Sequence, residues 1–427
     1  ARLVGSEMCI RDSPGGGVGF GYGAVGYIGN GIGYHELPRL PQGRNDVRTF
    51  IPVARIADML LHGGEEYDYN GQRLTYPDIH LVYWAGGNPF HHHQDLNRLE
   101  RAWQEPDTVV VHEPFWNSLA RHADIVLPAT TTLERSDVGG SGMDDFLFWM
   151  PQVIDPVGEA RNDYDIFSDL ADRLGARDRF TEGRTAEEWI EHLYHEFHAR
   201  HPEYPSLEEL EEGAYFEIPR EWVPAPPSLL AAYRADPTGA ALGTPSGRIE
   251  LFSETVDSFG YADCPGHPTW IEPKEWKDGQ NGHPLSLISN QPKTRLHSQW
   301  DHGDTSLDGK TDGRERVGMT PRDAAVRGLD EGDLVRVFND RGACLASVTI
   351  RHDLAEGVVQ LPTGAWWDPA SPGGVCRSGN PNVLTHDLGT SSMAQGPSTT
   401  TLVEVERYEG DPPRVRAHEM PTFVEIA

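Results

Sequence analysis

Three neighbouring histidines, His91, His92 and His93, follow the run Gly86-Gly87-Asn88-Pro89-Phe90. Imidazoles titrate near neutral pH and bind metals or anions. Three consecutive positions on a regular element cannot all face one point, so a three-ligand metal site from this run alone is geometrically poor. The sharper reading is a run that opens a helix, with free N–H groups and imidazoles turned towards an anionic ligand. The plainer one is a set of surface residues at a helix start. A second donor set is Arg295-Leu-His297-Ser298-Gln299. Two further loops, Gly379-Asn-Pro-Asn382 and Met393-Ala-Gln395-Gly396, carry side-chain amides of the kind that read the edges of a heterocycle. Singly, each is as well explained as a turn. Together they point to one large, polar, nucleotide-like ligand.

Other motifs carry less. Gly21-Tyr-Gly23-Ala-Val-Gly26 formally fits GxGxxG, but a tract this rich in glycine produces that spacing by chance and no strand precedes it. A loop whose backbone packs closely is the safer reading. Gly303 to Gly309-Lys310-Thr311 resembles a P-loop but is one residue too long. HExxH, GxSxG and EF-hand patterns are absent from the sequence.

The elements that must position these residues read as two patterns. From residue 50 strands and helices alternate: strands at 79–84, 108–112 and 124–128, and helices at 95–104 and 118–123. Leu96, Leu99 and Trp103 share one face of the first helix. That order predicts a doubly wound, mostly parallel sheet, with its ligand at the carboxyl ends of the strands. Gly86–Asn88 and Glu113 fall there. Residues 176–240 are more helical, and the acidic run 208–213 reads as a solvated helix face. After about residue 284 the chain becomes β-rich, with a hairpin over 333–338 and 343–350, further strands at 285–289 and 357–361, and Gly-rich turns that suggest a small barrel.

Composition bounds the function. The 427 residues exceed one ordinary core, so two or three domains are expected. With 36 Lys and Arg against 66 Asp and Glu, the net charge of −30 disfavours nucleic acid and anionic membrane surfaces. No apolar run reaches transmembrane length, and an integral membrane protein is not expected. The four Cys contain no CxxC pair, against a zinc ribbon or a cysteine-ligated iron–sulfur cluster.

Gly86-Gly-Asn-Pro-Phe-His-His-His-Gln-Asp-Leu-Asn-Arg98 resembles the signature of the molybdopterin oxidoreductases that reduce S- and N-oxides. Asp124-Ile-Val-Leu-Pro-Ala-Thr-Thr131, Thr244-Pro-Ser-Gly-Arg-Ile-Glu250, Arg295–Gln299 and Gly379-Asn-Pro-Asn-Val-Leu-Thr385 match in the same order, across nearly the whole chain from Pro14. The resemblance is to the dimethyl sulfoxide, trimethylamine N-oxide and biotin sulfoxide reductase branch. It implies a bis(molybdopterin guanine dinucleotide) molybdenum cofactor held between the sheet domain and a C-terminal double-psi barrel. Carried over by motif, Gly87, Asn88, His92 and Gln94 would contact one cofactor half. Glu113 and Asp165 would lie near a guanine, whose N1–H and amino protons a carboxylate accepts together. Arg295, His297, Ser298 and Gln299 would reach pterin or phosphate, and Asn382 and Gln395 the other nucleotide. An S- or N-oxide substrate and an electron-donor protein are the implied partners, in periplasm or cytoplasm.

Glu7 to Ser13 back-translates to a string that looks like a transposase adapter from sequencing libraries. Residues 1–13 are therefore expected to be non-native, and 14–49 to be a Gly-rich loop region left from a truncated upstream domain. Residues 50–283 form the expected α/β cofactor domain with a helical insert, and 284–427 the barrel domain. The family's metal-coordinating serine lies upstream of the Gly-rich tract, so no catalytic or metal-ligating residue is named. Two other readings stay open: a relative of formate dehydrogenase or nitrate reductase, and a non-catalytic nucleotide-binding protein with the same two domains.

Overall fold

The computed structural model describes residues 36–140, 145–222, 231–276, 282–395 and 400–424. The expectations for residues 1–13, for the Gly-rich tract up to Gly33 and for the Pro-rich connection at 223–227 lie outside the described residues. Two compact units are present. One comprises 47–127 with 252–424, the other 36–46 with 128–251.

The larger unit opens with α1 (Ile56–Leu61) and an antiparallel hairpin of β1 (Glu66–Tyr69) and β2 (Gln72–Thr75). β3 (Leu81–Ala85), α2 (Pro89–His92), α3 (Leu96–Ala102), β4 (Thr108–His112) and β5 (Ile125–Leu127) follow. β3, β4 and β5 form a parallel three-stranded sheet, with Leu81 opposite Thr108 and Val110 opposite Ile125. β4 is buried from Val109 to His112, as expected of a parallel strand covered on both faces. Asp95 caps α3 by accepting the Arg98 N–H at 3.0 Å, and Leu96, Leu99 and Trp103 are buried on the face that their spacing predicts. The expected helix at 118–123 is only a 3-10 turn over Ala120–His122. Asn117 closes that turn by accepting the Ala120 N–H at 3.1 Å, and the Trp103 indole takes the His122 carbonyl at 3.0 Å.

The smaller unit carries an antiparallel sheet of β6 (Asp137–Gly140), β7 (Phe146–Met150) and β8 (Tyr215–Glu217). Its helices include α4 (Asp163–Arg173), α5 (Ala186–Arg200) and α6 (Leu207–Gly213). Reciprocal capping boxes, Thr185 with Glu188 and Ser206 with Glu209, start α5 and α6. Leu147, Tyr194, Phe197, Leu207, Leu210 and Ile218 make its core. The acidic residues of α6 face solvent, as their spacing around Leu207 and Leu210 predicts.

The rest of the larger unit is a closed barrel. β9 (Leu285–Ile288), α7 (Asp304–Asp308), β10 (Arg316–Met319), β11 (Leu334–Phe338), β12 (Ala343–Ile350), β13 (Val358–Gln360) and β14 (Leu402–Arg407) follow in order. Round the barrel the strands run β10-β12-β11-β14-β9-β13. β10 with β12 and β13 with β9 are parallel, and the other neighbours antiparallel. The hairpin of β11 and β12 turns at Asn339–Gly342, where the sequence places it. Val335, Val337, Val403, Val405, Leu285 and Leu287 point inwards with period two. One apolar core joins the barrel to the sheet, running from Val337 and Cys344 through Trp367 to Phe90, Leu99 and Val111. No helix among the described residues is long and apolar enough to cross a membrane.

Candidate cofactor site

β3 ends in Gly86 at φ 80° and Gly87 at φ 79°, two successive left-handed residues that turn the backbone out of the sheet. Asn88 then caps α2, its Oδ1 accepting the Phe90 N–H at 3.0 Å. Its Nδ2 is buried without a partner, and so is the Trp84 indole N–H, which lies 3.8 Å from the place of a Gly87 Cβ. Two orphaned donors therefore meet at one strand end. Buried donors are nearly always satisfied, so this pair fits an acceptor-rich ligand such as an oxidised pterin or a pyrophosphate.

The histidine run closes α2 rather than opening it, which corrects the sequence reading. Pro89 starts the helix, and its fixed φ and missing N–H suit the first helical position. Phe90 is fully buried and stacks on Trp367 at 5.4 Å, which turns His91 and His93 inwards and leaves His92 exposed. His91 is 3% and His93 4% exposed. Burial drives the His91 imidazole down to about 3 and lowers His93 as well, so both are neutral at pH 7. Of the three, His92 is the one exposed to solvent. It lies 5.1 Å from the His297 ring, centroid to centroid, so the two motifs do converge.

The depressed His91 pKa has a consequence for acid stability. Above its unfolded pKa of ~6.5 both states are neutral and the group is silent. Below it only the unfolded chain takes up the proton, so stability falls by roughly 1.4 kcal/mol per pH unit until the folded group titrates. His91→Phe is expected to flatten the urea-midpoint profile between pH 6.5 and 4. An unchanged slope refutes the assignment.

The barrel holds α2 in place through amides. Asn380 Nδ2 donates to the Ala365 carbonyl at 2.8 Å and the Phe90 carbonyl at 3.3 Å, and Asn382 Nδ2 donates to the His91 carbonyl at 2.8 Å. Arg295 is anchored in a similar way. Its side chain is 1% exposed and reaches Glu315 at 2.8 Å, Asp301 at 3.3 Å and the Thr363 carbonyl at 2.7 Å. His297, at φ 51°, receives a Gln291 amide bond on its ring at 2.7 Å and donates its N–H to Gln291 Oε1 at 2.8 Å. The Ser298 carbonyl accepts the Trp366 indole N–H at 2.9 Å. Gln299 is exposed and, with Arg295, Leu296, Trp300 and His302, lines a cavity of about 720 Å³.

Glu113 follows β4, and burial pushes its carboxyl up to about 7. Two residues on, the Phe115 ring packs 5.5 Å from Trp300 and 4.9 Å from His302, which brings the sheet edge to the cavity wall. Gln94 donates to the His92 carbonyl at 3.4 Å. Gln395 gives its amide to Asp68 at 3.0 Å, on the β1–β2 hairpin. Asp165 sits in the first turn of α4 in the smaller unit, exposed. Partial burial and then the Glu187 charge raise its carboxyl above the usual range.

Two charge networks escaped the sequence reading. Lys310, met there as a failed P-loop lysine, is fully buried with its Nζ 2.6 Å from Asp301. His418 joins the same carboxylate at 2.8 Å. Arg98, the last residue of the histidine motif, bridges Asp58 and Asp387, and Arg55 completes the ring at 2.8 and 3.0 Å. In the sequence the first network is marked only by Arg295 and by the lysine after Gly309; no local pattern marks the second.

Residues 23–173 match the model of the Molybdopterin oxidoreductase family, and residues 285–403 that of the Molydopterin dinucleotide binding domain. The chain is 49% identical to a biotin sulfoxide reductase of Cereibacter sphaeroides, over 93% of this chain and 54% of that protein. It is 41% identical to a trimethylamine-N-oxide reductase of Haemophilus influenzae, over 96% and 53%. A dimethyl sulfoxide/trimethylamine N-oxide reductase of Rhodobacter capsulatus is 42% identical over 85% and 45%. Among solved structures, acetylene hydratase from Pelobacter acetylenicus superposes with a TM-score of 0.60 at 20% identity, over 78% of this chain and 45% of that one, a likeness of fold alone. The chain spans about half the length of the curated relatives it matches. With both family models in chain order, and the paired motifs meeting at His92 and His297, the chain belongs to the molybdopterin oxidoreductase family.

Proposed function

We propose that this chain is the cofactor-holding part of a molybdenum-dependent reductase of S-oxides or N-oxides. The overall reaction takes an oxide, two protons and two electrons to the reduced compound and water. A bis(molybdopterin guanine dinucleotide) cofactor, when bound, supplies the oxygen-atom transfer and two-electron chemistry; the protein binds and orients it. The observation that carries the reading is the pair of buried unpartnered donors, Asn88 Nδ2 and Trp84 Nε1, at the end of β3, taken with the His92–His297 contact. Gly87 lets the backbone approach the ligand. Asn88, His92, Gln94, His297, Ser298 and Gln299 provide polar contacts. Arg295 and Asn382 act through the loops they fasten, since their polar groups are given to Glu315 and to the His91 carbonyl. Gln395 serves the second nucleotide, and Glu113 and Asp165 are the guanine carboxylates.

The finer fold belongs to the same reading: the parallel sheet is part of a doubly wound domain and the barrel is of the double-psi type. Its two parallel strand pairs within a closed ring of six support that form. The family models, over 23–173 and 285–403, accord with an α/β cofactor domain followed by a barrel domain from about residue 284. An electron-donor protein completes the set of partners. The oxide-reductase names of the most similar relatives favour this branch over formate or nitrate chemistry.

Asp165→Asn tests the guanine assignment. The amide places a donor where two acceptors are needed, and such a mismatch against a base that covers it costs ~1–3 kcal/mol. Cofactor retention is expected to fall by roughly 5- to 150-fold, read as molybdenum and guanine per chain after gel filtration. Unchanged content of both removes Asp165 from the site.

A further inference from the structure

Cys344 is the second residue of β12, in its buried stretch, and Cys376 lies on the segment that returns beside it. Cys376 donates its N–H to the Ala343 carbonyl at 2.9 Å, and Leu345 donates to the Cys376 carbonyl at 2.9 Å. These two bonds set Cys344 and Cys376 directly opposite each other in parallel register. Neighbouring strands lie about 4.8 Å apart, inside the roughly 4.4–6.8 Å span of Cα atoms that a disulfide bridges. Opposed residues share a face of the sheet, so the two Cβ atoms point the same way. Both side chains are free thiols and fully buried. Burial, and then the neighbouring Cys376, raise the Cys344 thiol well above its usual range, which agrees with two sulfurs in close company.

We propose that Cys344 and Cys376 form an oxidative modification site, a dithiol that closes to a disulfide within the barrel. With hydrogen peroxide as oxidant, one thiolate attacks the peroxide, giving a sulfenic acid and water. The second thiol then displaces the hydroxyl from that sulfur, forming the S–S bond and a second water. Two thiols lose two electrons and two protons in all, and one peroxide is reduced. In the packed barrel both thiols are buried and shielded from an oxidant, so closure takes place while the segment around Cys376 is undocked, during folding or local opening. Cys264 has different company: its Sγ lies 3.6 Å from the Met393 sulfur, so it has no thiol partner there. The inference is independent of the proposed reductase function.

The test uses the full chain, oxidised with peroxide in moderate urea, returned to buffer, then alkylated under denaturing conditions and digested with trypsin without reductant. Peptides 342–351 and 352–377 are expected as one joined species, lighter by two hydrogen atoms than their sum and separated by dithiothreitol. The Cys264 peptide is expected alkylated. Cys344→Ser and Cys376→Ser should each abolish the joined species; the unsubstituted chain keeps the test decisive if either variant misfolds. Recovery of both peptides singly alkylated after oxidation overturns the proposal. Linkage of either one to Cys264 or Cys9 instead does so too.

Discussion

Asp301→Ala is expected to lower the unfolding free energy by about 3–5 kcal/mol, seen as a large fall in the urea midpoint with an unchanged denaturant slope. Asp301 is fully buried and accepts from Lys310 at 2.6 Å, His418 at 2.8 Å, the Trp366 N–H at 3.0 Å and the Ser306 hydroxyl at 3.4 Å, with Arg295 Nε paired at 3.3 Å. Burial opposes its charge, but the His418 hydrogen bond and the Lys310 and Arg295 cations outweigh it, and the carboxyl is held far below the usual range. Truncation leaves two buried cations with Glu315 as their remaining carboxylate, at 2.8 Å from Arg295 and 3.4 Å from Lys310. Glu315 is a poor substitute, because burial already pushes its carboxyl upwards against those same cations. Breaking a buried network by removing one partner is costly for this reason, even where the intact network contributes little net stability. Asp301→Asn keeps an acceptor for the Trp366 N–H and is expected to lose less than the alanine variant. A midpoint within error of the parent for both variants would show that the network is not a structural anchor.

That network also marks where reading the sequence stopped. Periodic signals transferred well: the two-residue period of β11 and β12, the apolar run of β4 and the face of α3 all rest on neighbours close in the chain. The histidine run failed because its outcome depends on Phe90. That ring is buried against Trp367, and the rotation it imposes cannot be read from residues 88–93 alone. Charge pairing failed for a similar reason. Asp387 meets Arg98 across 289 positions of chain, and neither neighbourhood has a pattern that names the other. The motifs that carry His92 and His297 meet in the fold, while the roles of single residues inside them need geometry. Arg295 and Asn382 look like free donors in the sequence, yet their polar groups are engaged in holding loops. The same division holds for Lys310: a lysine after Gly309 suggests phosphate, and only the fold shows a carboxylate there instead.

Gly364→Ala carries the second large effect, and it joins stability to the site. Gly364 has φ 94°, and a Cβ there would lie 1.8 Å from the His297 carbonyl oxygen, 2.5 Å from its carbon and 3.1 Å from Arg295 Nε. The obstacle is backbone, which cannot rotate away. Both sides of the contact are tied: His297 donates its N–H to Gln291 at 2.8 Å and its carbonyl accepts from Arg295 Nε at 3.2 Å. The Thr363 carbonyl takes an Arg295 bond at 2.7 Å, and the Ala365 carbonyl an Asn380 bond at 2.8 Å. Left-handed strain alone costs ~1–3 kcal/mol, and the overlap must either add to that or displace the 295–299 segment from His92. Gly328→Ala is the control, since Gly328 has φ 65° and nothing within 4 Å of its would-be Cβ. The control is expected to lose ~1–2 kcal/mol and keep its cofactor content. Gly364→Ala is expected to lose more than ~4 kcal/mol or, if the barrel survives, to lose molybdenum and guanine together as His297 leaves the site. The two variants share the backbone strain and differ in the steric contact. Equal losses in stability with cofactor retained in both would mean that the Gly364–His297 approach does not position the site.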